Sequence, residues 1–87
     1  MKKESHARFK LHLAKIIKEQ RNEVKGYSQE NLAELANISV TTISRFEQGD
    51  QLISLPTFIK IVDALDMDIN EYIPIFRKLI DEDEAKL

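Results

Sequence analysis

Apolar residues recur at helical spacing in five successive stretches of the chain, most of them bounded by residues with known terminal preferences. In the first, Phe9, Leu13, Ile16, Ile17 and Gln20 trace one stripe with the lysines mostly off it. This predicts a core-packing helix from about His6 to Val24 with a basic outer face. In the second, Ser28 is an N-cap candidate and Glu30 sits where the helix dipole favours negative charge. Leu32, Leu35 and Ala36 give that helix an apolar face, and Asn37 closes it in the left-handed conformation that Asn tolerates. A third helix opens at once with Ser39 as cap, buries Ile43 and Phe46, and stops at Gly49. Ala33 is small enough to let the second and third helices cross closely.

The fourth helix begins at Ser54 and tolerates Pro56 because first-turn amides have no helical acceptor. Leu55, Phe58, Ile59, Ile61, Val62 and Leu65 make it the expected centre of the core. Asp68 and Glu71 form a capping-box-like start for the fifth. Pro74 falls too late in that helix to be harmless, so the fifth helix is expected to be broken or kinked near Pro74, with a break near Ile73 and a new helical segment starting at Pro74. Tyr72, Ile73, Ile75, Phe76, Leu79 and Ile80 then concentrate more apolar surface than so small a domain easily covers, and Asp81-Glu82-Asp83-Glu84 ends the run. That surface either packs back on the first helix or meets a partner. The preferred reading is a twofold dimer, with Tyr72, Ile75, Phe76, Leu79 and Ile80 at its interface.

The second and third helices with the tight turn between them read as a helix-turn-helix. Projected around its axis, the third helix (residues 39–48) places Thr41, Arg45 and Gln48 opposite Ile43 and Phe46, with Thr42 and Ser44 flanking. An ordinary solvated face would look similar, but this stripe also suits a major groove. Arg binds guanine bidentately, Thr and Ser reach bases or phosphates, and Val40 can touch a thymine methyl. The helix N-termini at Ser28 and Ser39 can hold phosphates through backbone amides.

Gln29, Leu32, Ala33, Ile38, Ser39, Ile43, Glu47 and Gly49 match the pattern of the Cro and phage-repressor (Xre) family of helix-turn-helix domains, which the chain resembles from about Arg8 to Tyr72. The resemblance implies an all-α, compact five-helix lambda-repressor-like fold whose third helix enters the major groove. It implies that Gln29 contacts the DNA backbone and that Val40, Thr41 and Arg45 face base edges. Ser39, Thr42 and Ser44 become phosphate or auxiliary contacts, and Arg21 pairs with Glu47 to tie the first helix to the end of the third. Two departures stand out. The segment Arg21 to Tyr27 is one residue longer than usual in the family. The loop Asp50-Gln51-Leu52-Ile53 replaces the Lys, Arg or Asn often found there, so either it turns away from phosphate or affinity is modest.

Composition changes this picture in three places. A chain of 87 residues buries only about 60% of its unfolded surface, so stability is marginal and oligomerisation helps. The absence of cysteine excludes disulfides and thiolate metal sites. His6 and His12, six apart, do not share a face for metal binding and read as surface residues. The formal net charge of −2 argues against a DNA binder, but the charge is polarised. Residues 1–27 carry eight Lys/Arg against three Glu, whereas residues 50–87 carry four basic against nine acidic side chains. With one Arg in the recognition region, weak nonspecific binding and a shallow salt slope are expected.

Met1-Lys2-Lys3 begins like a signal peptide, but no apolar run follows and nothing approaches membrane-spanning length, so a cytoplasmic protein is expected. No nucleophile-base pair, glycine-rich phosphate loop or metal cluster supports an enzyme, a cofactor or a metal. The expectation is a single helix-turn-helix domain spanning 1–87, with a core of about 8–72 and a C-terminal dimerisation segment of about 73–87. It would act as a homodimeric, sequence-specific transcriptional regulator on double-stranded DNA bearing a palindromic operator. The alternative is a protein-interaction module, such as an antitoxin-like partner protein that binds through Pro74 to Leu87.

Overall fold

The structure, a computed structural model, describes residues 6–49 and 52–85. Five α-helices account for most of them: α1 (Ala7–Glu19), α2 (Gln29–Ala36), α3 (Val40–Glu47), α4 (Leu55–Ala64) and α5 (Ile69–Ala85). The first helix continues through a π-helical turn over Gln20–Val24, so the helical stretch expected to Val24 is present but changes pitch. Each π turn closes over one more residue than an α turn. Here the Lys25 N–H donates to the Gln20 carbonyl at 3.0 Å, in the segment expected to be one residue longer than usual.

Serine opens three of the helices. The Ser28, Ser39 and Ser54 hydroxyls accept from the amides of Asn31, Thr42 and Thr57, respectively. At Ser28 the cap is reciprocal, because the Ser28 N–H also donates to Asn31 Oδ1 at 3.2 Å. Asn37 closes α2 at φ 58°. The amide of Ile38 donates to Ala33 and that of Asn37 to Glu34, the paired bonds that satisfy the last carbonyls of a helix. These caps hold α2 and α3 at a fixed angle with only three residues between them.

Ile17 of α1, Leu32 of α2, Ile43 and Phe46 of α3, and Ile61 of α4 with Leu65 just beyond it are the largest fully buried side chains. The core is therefore contributed by consecutive helices, each supplying one face. Fewer of the α4 positions are internal than the apolar pattern implies. Ile61, Val62 and Leu65 are buried, whereas Leu55 is 68% exposed and Ile59 53% exposed.

Two expectations for the C-terminal segment are corrected. α5 runs unbroken through Pro74. Proline at the sixth position of the helix deprives it of one backbone bond, a penalty of about 3 kcal/mol in a helix interior. Burying Phe76 and Leu79 just beyond it offsets that, at about 1.5–3 kcal/mol each. Those same two residues were expected on a dimer face and are instead core residues. Phe76 is the hub of an aromatic cluster, edge-on to Phe9 at 5.9 Å and to Phe58 at 6.4 Å and stacked on Tyr72 at 6.0 Å. Of the remaining expected interface residues, Tyr72 and Ile80 are half-buried and Ile75 is 45% exposed.

The acidic run at the end of α5 also has a structural task. His6, before α1, lies in the left-handed region and makes no side-chain cap. The cap comes from Asp83, 74 residues away, whose Oδ2 accepts from the Phe9 N–H at 2.7 Å. Arg8 lies 3.9 Å from Asp83 and 3.8 Å from Glu82, and His6 lies 3.5 Å from Glu84. Negative charge thus meets the positive end of the α1 dipole across the fold. At the opposite end of α1, Lys25 reaches Asp66 at 2.7 Å. That hydrogen bond holds the Lys25 ammonium above the ordinary lysine value of 10.5. The tie is therefore in place at neutral pH, and its positive half is lost as pH rises through the raised value.

Because Asp83 is the distant cap of α1, Asp83→Ala should lower stability by about 1 kcal/mol in urea unfolding. Amide exchange at Phe9 should accelerate in the same variant. An unchanged midpoint with unchanged exchange would show that the cap is dispensable.

Candidate nucleic-acid interface

α3 divides cleanly into two faces. Ile43 and Phe46 are sealed against α1 and α2, with Ile43 fully inaccessible. On the opposite side Thr41, Arg45 and Gln48 are exposed, Val40 is 38% exposed in the first turn, and Thr42 and Ser44 are half-buried at the edges. Among the described residues nothing forms an ion pair with Arg45, so its guanidinium is available to an external acceptor. The Ser39 hydroxyl, in contrast, is engaged locally, accepting from the Thr42 amide and lying 2.7 Å from Thr42 Oγ1. The expectation for the following loop rested on Asp50 and Gln51, which lie outside the described residues, together with Leu52 and Ile53. Leu52 is 45% exposed.

The end of α3 is held by a buried ion pair. Arg21, in the π turn, donates through Nε to Glu47 Oε2 at 2.7 Å and through Nη2 to Glu47 Oε1 at 3.0 Å. The Arg21 and Glu47 side chains are 9% and 3% exposed. Arg21 Nη1 also donates to the Tyr27 carbonyl at 2.7 Å. One guanidinium fork thereby joins the end of the first helix, the loop before α2 and the last residue of α3. The longer segment between Arg21 and Tyr27 does not disturb the pairing, which Arg21 makes from within the π turn.

A fourth group joins this network. Gln29, the first residue of α2, donates from Nε2 to Glu47 Oε1 at 3.0 Å. Glu47 therefore couples the start of α2 to the end of α3, and Gln29 is not a solvated side chain waiting for a ligand. Spacing alone does not reveal this link, since Gln29 and Glu47 are joined by the crossing of two helices. Ser28 was legible as the N-cap of α2 from its place before the apolar stripe, but the reciprocal bond to Asn31 was not.

Gly49 ends α3 at φ 80°, and a Cβ there would lie 2.7 Å from Leu11 Cδ2 of α1. The backbone conformation calls for glycine, and a side chain there would also have to displace the exposed end of Leu11. α3 is thus pinned to α1 at Gly49 as well as through Glu47, and its outer face is presented on a rigid base.

Two helices joined by a tight turn, the second carrying an exposed polar stripe on an apolar base, define a helix-turn-helix DNA reader. The family profile described as helix-turn-helix matches residues 17–72, and the chain belongs to that family of Xre-like, Cro-type DNA-binding regulators. No curated protein matches the chain. Among the described residues no helix is long and apolar enough to cross a membrane.

Removing one partner of the buried pair leaves an uncompensated charge, so Glu47→Ala should lose about 3–5 kcal/mol of stability. For a domain of this size that approaches the whole margin. Urea unfolding measures it, and a loss below about 1 kcal/mol would mean that water reaches Arg21.

Proposed function

We propose that this chain is a sequence-specific regulator that binds double-stranded DNA as a homodimer on a palindromic operator, with residues 39–48 in the major groove. The observation that carries this reading is the exposed stripe of Val40, Thr41, Arg45 and Gln48 above buried Ile43 and Phe46. In this reading Arg45 reads a base edge, with Val40 and Thr41 beside it, because these side chains stand outward on the first two turns of α3. Ser28, Gln29, Ser39, Thr42 and Ser44 lie at helix starts or at the margin of the stripe and contact the backbone. Phosphate affinity comes from helix N-termini and from the basic surface of α1, which lets a chain of net charge −2 bind a polyanion.

The dimer reading rests on apolar surface that the fold leaves uncovered. With Phe76 and Leu79 internal, that surface on α5 is Ile73 at 42% and Ile75 at 45% exposure. A palindromic operator needs two copies of α3 about 34 Å apart, one turn of duplex, and a twofold axis along this part of α5 is the arrangement proposed to supply them. The same surface would serve a different protein partner, so the oligomeric state decides between the two readings.

Selection from random oligonucleotides followed by affinity measurement tests the groove assignment. Arg45→Ala should cost about 1–3 kcal/mol on the selected site and relax specificity at one position. Equal affinity would remove Arg45 from the base contacts. For the dimer, sedimentation at micromolar concentration should give twice the chain mass, and Ile75→Glu should return it to the monomer mass. A monomeric wild type would sink the dimer, whereas Phe76→Glu now reports on folding rather than on association.

A further inference from the structure

Glu47 has a role beyond closing the ion pair with Arg21. Resting on the reading that Gln29 faces the DNA backbone, we propose that Glu47 is a positioning residue for phosphate. It fixes the Gln29 amide with its nitrogen inward, so that one N–H is held by the carboxylate and the second is presented to a phosphate oxygen.

The direction of the amide follows from donor chemistry. An ionised carboxylate only accepts, so the group 3.0 Å from Glu47 Oε1 is the Gln29 nitrogen. Turning the amide over would set two oxygens against each other beside a carboxylate that is 3% exposed. A phosphate oxygen also only accepts. A freely rotating glutamine would turn its oxygen outward part of the time and would lose side-chain freedom on binding. Held by Glu47, Gln29 offers a donor that is already ordered. Arg21 makes the arrangement compatible with DNA, because its bidentate fork neutralises the carboxylate that would otherwise repel a nearby phosphate. Since Glu47 is also the last residue of α3, the same carboxylate that aims the phosphate donor sets where the recognition helix ends relative to it.

The test is a double-mutant cycle in DNA affinity, between Gln29→Met and the neutral pair Arg21→Gln with Glu47→Gln. The pair removes both buried charges together and leaves an amide at 47 that can face Gln29 with either atom. Binding to the selected duplex and to a random-sequence duplex is followed by anisotropy over a range of salt. In the otherwise wild-type chain, Gln29→Met should weaken both duplexes about tenfold. The salt slope should not change, because a neutral donor displaces no counterion. In the neutral-pair background the same substitution should weaken binding less than about twofold. Equal losses in the two backgrounds would overturn the positioning role. A wild-type chain that binds neither duplex would instead fail before any variant is compared, and would overturn the DNA reading with it. Should the neutral pair not fold, the two Gln29 side-chain amide protons of the wild type decide the matter by NMR. One should be protected from exchange in the free protein, and the other should shift when duplex is added; two protons behaving alike would overturn the proposal.

Discussion

The buried pair of Arg21 and Glu47 is the constraint on which the rest of this small domain turns. It spans 26 residues of chain and is shielded from water on both sides. Its partners are spread over the end of the first helix, the loop before α2, the start of α2 and the end of α3. A buried ion pair is weak evidence for stability in itself, because desolvation opposes the attraction. Its value here is geometric. Four donors converge on fixed acceptors at 2.7–3.0 Å, and an arrangement satisfied at every point leaves the helix-turn-helix little freedom to change its crossing angle.

A second set of contacts closes the molecule at its other end. α5 lies along α1, its Phe76 enters an aromatic cluster with Phe9, Phe58 and Tyr72, and its Asp83 caps the first turn of α1. A chain this short has few residues with which to build a core, so the apolar content of the last helix is drawn inward. The acidic run follows the same logic, since its charges lie against the helix end where they are favourable.

These two closures divide the labour between the ends of the sequence. In the proposed function the basic first helix and the helix N-termini supply positive potential for a polyanion, while acidic residues near the end of α5 lie at the start of α1. Net charge is therefore a poor guide to what this surface binds. What matters is that the polar stripe of α3 is exposed and carries Arg45 without an ion pair among the described residues.

Local rules were enough to determine the serine caps of α2, α3 and α4, the Asn37 and Gly49 stops and the two faces of α3. Each depends on residues within a turn or two of one another, where propensity and periodicity act directly. The Arg21 and Glu47 pairing was legible only through the family resemblance. The π turn that carries Arg21 was not legible in the sequence. Three matters were decided by tertiary structure alone: Phe76 and Leu79 turned inward rather than toward a partner, α5 stayed whole across Pro74, and Asp83 capped a helix 74 residues away. In each the deciding energy is burial or a long-range hydrogen bond between segments far apart in the chain, to which the hydrophobic pattern of any one helix is blind.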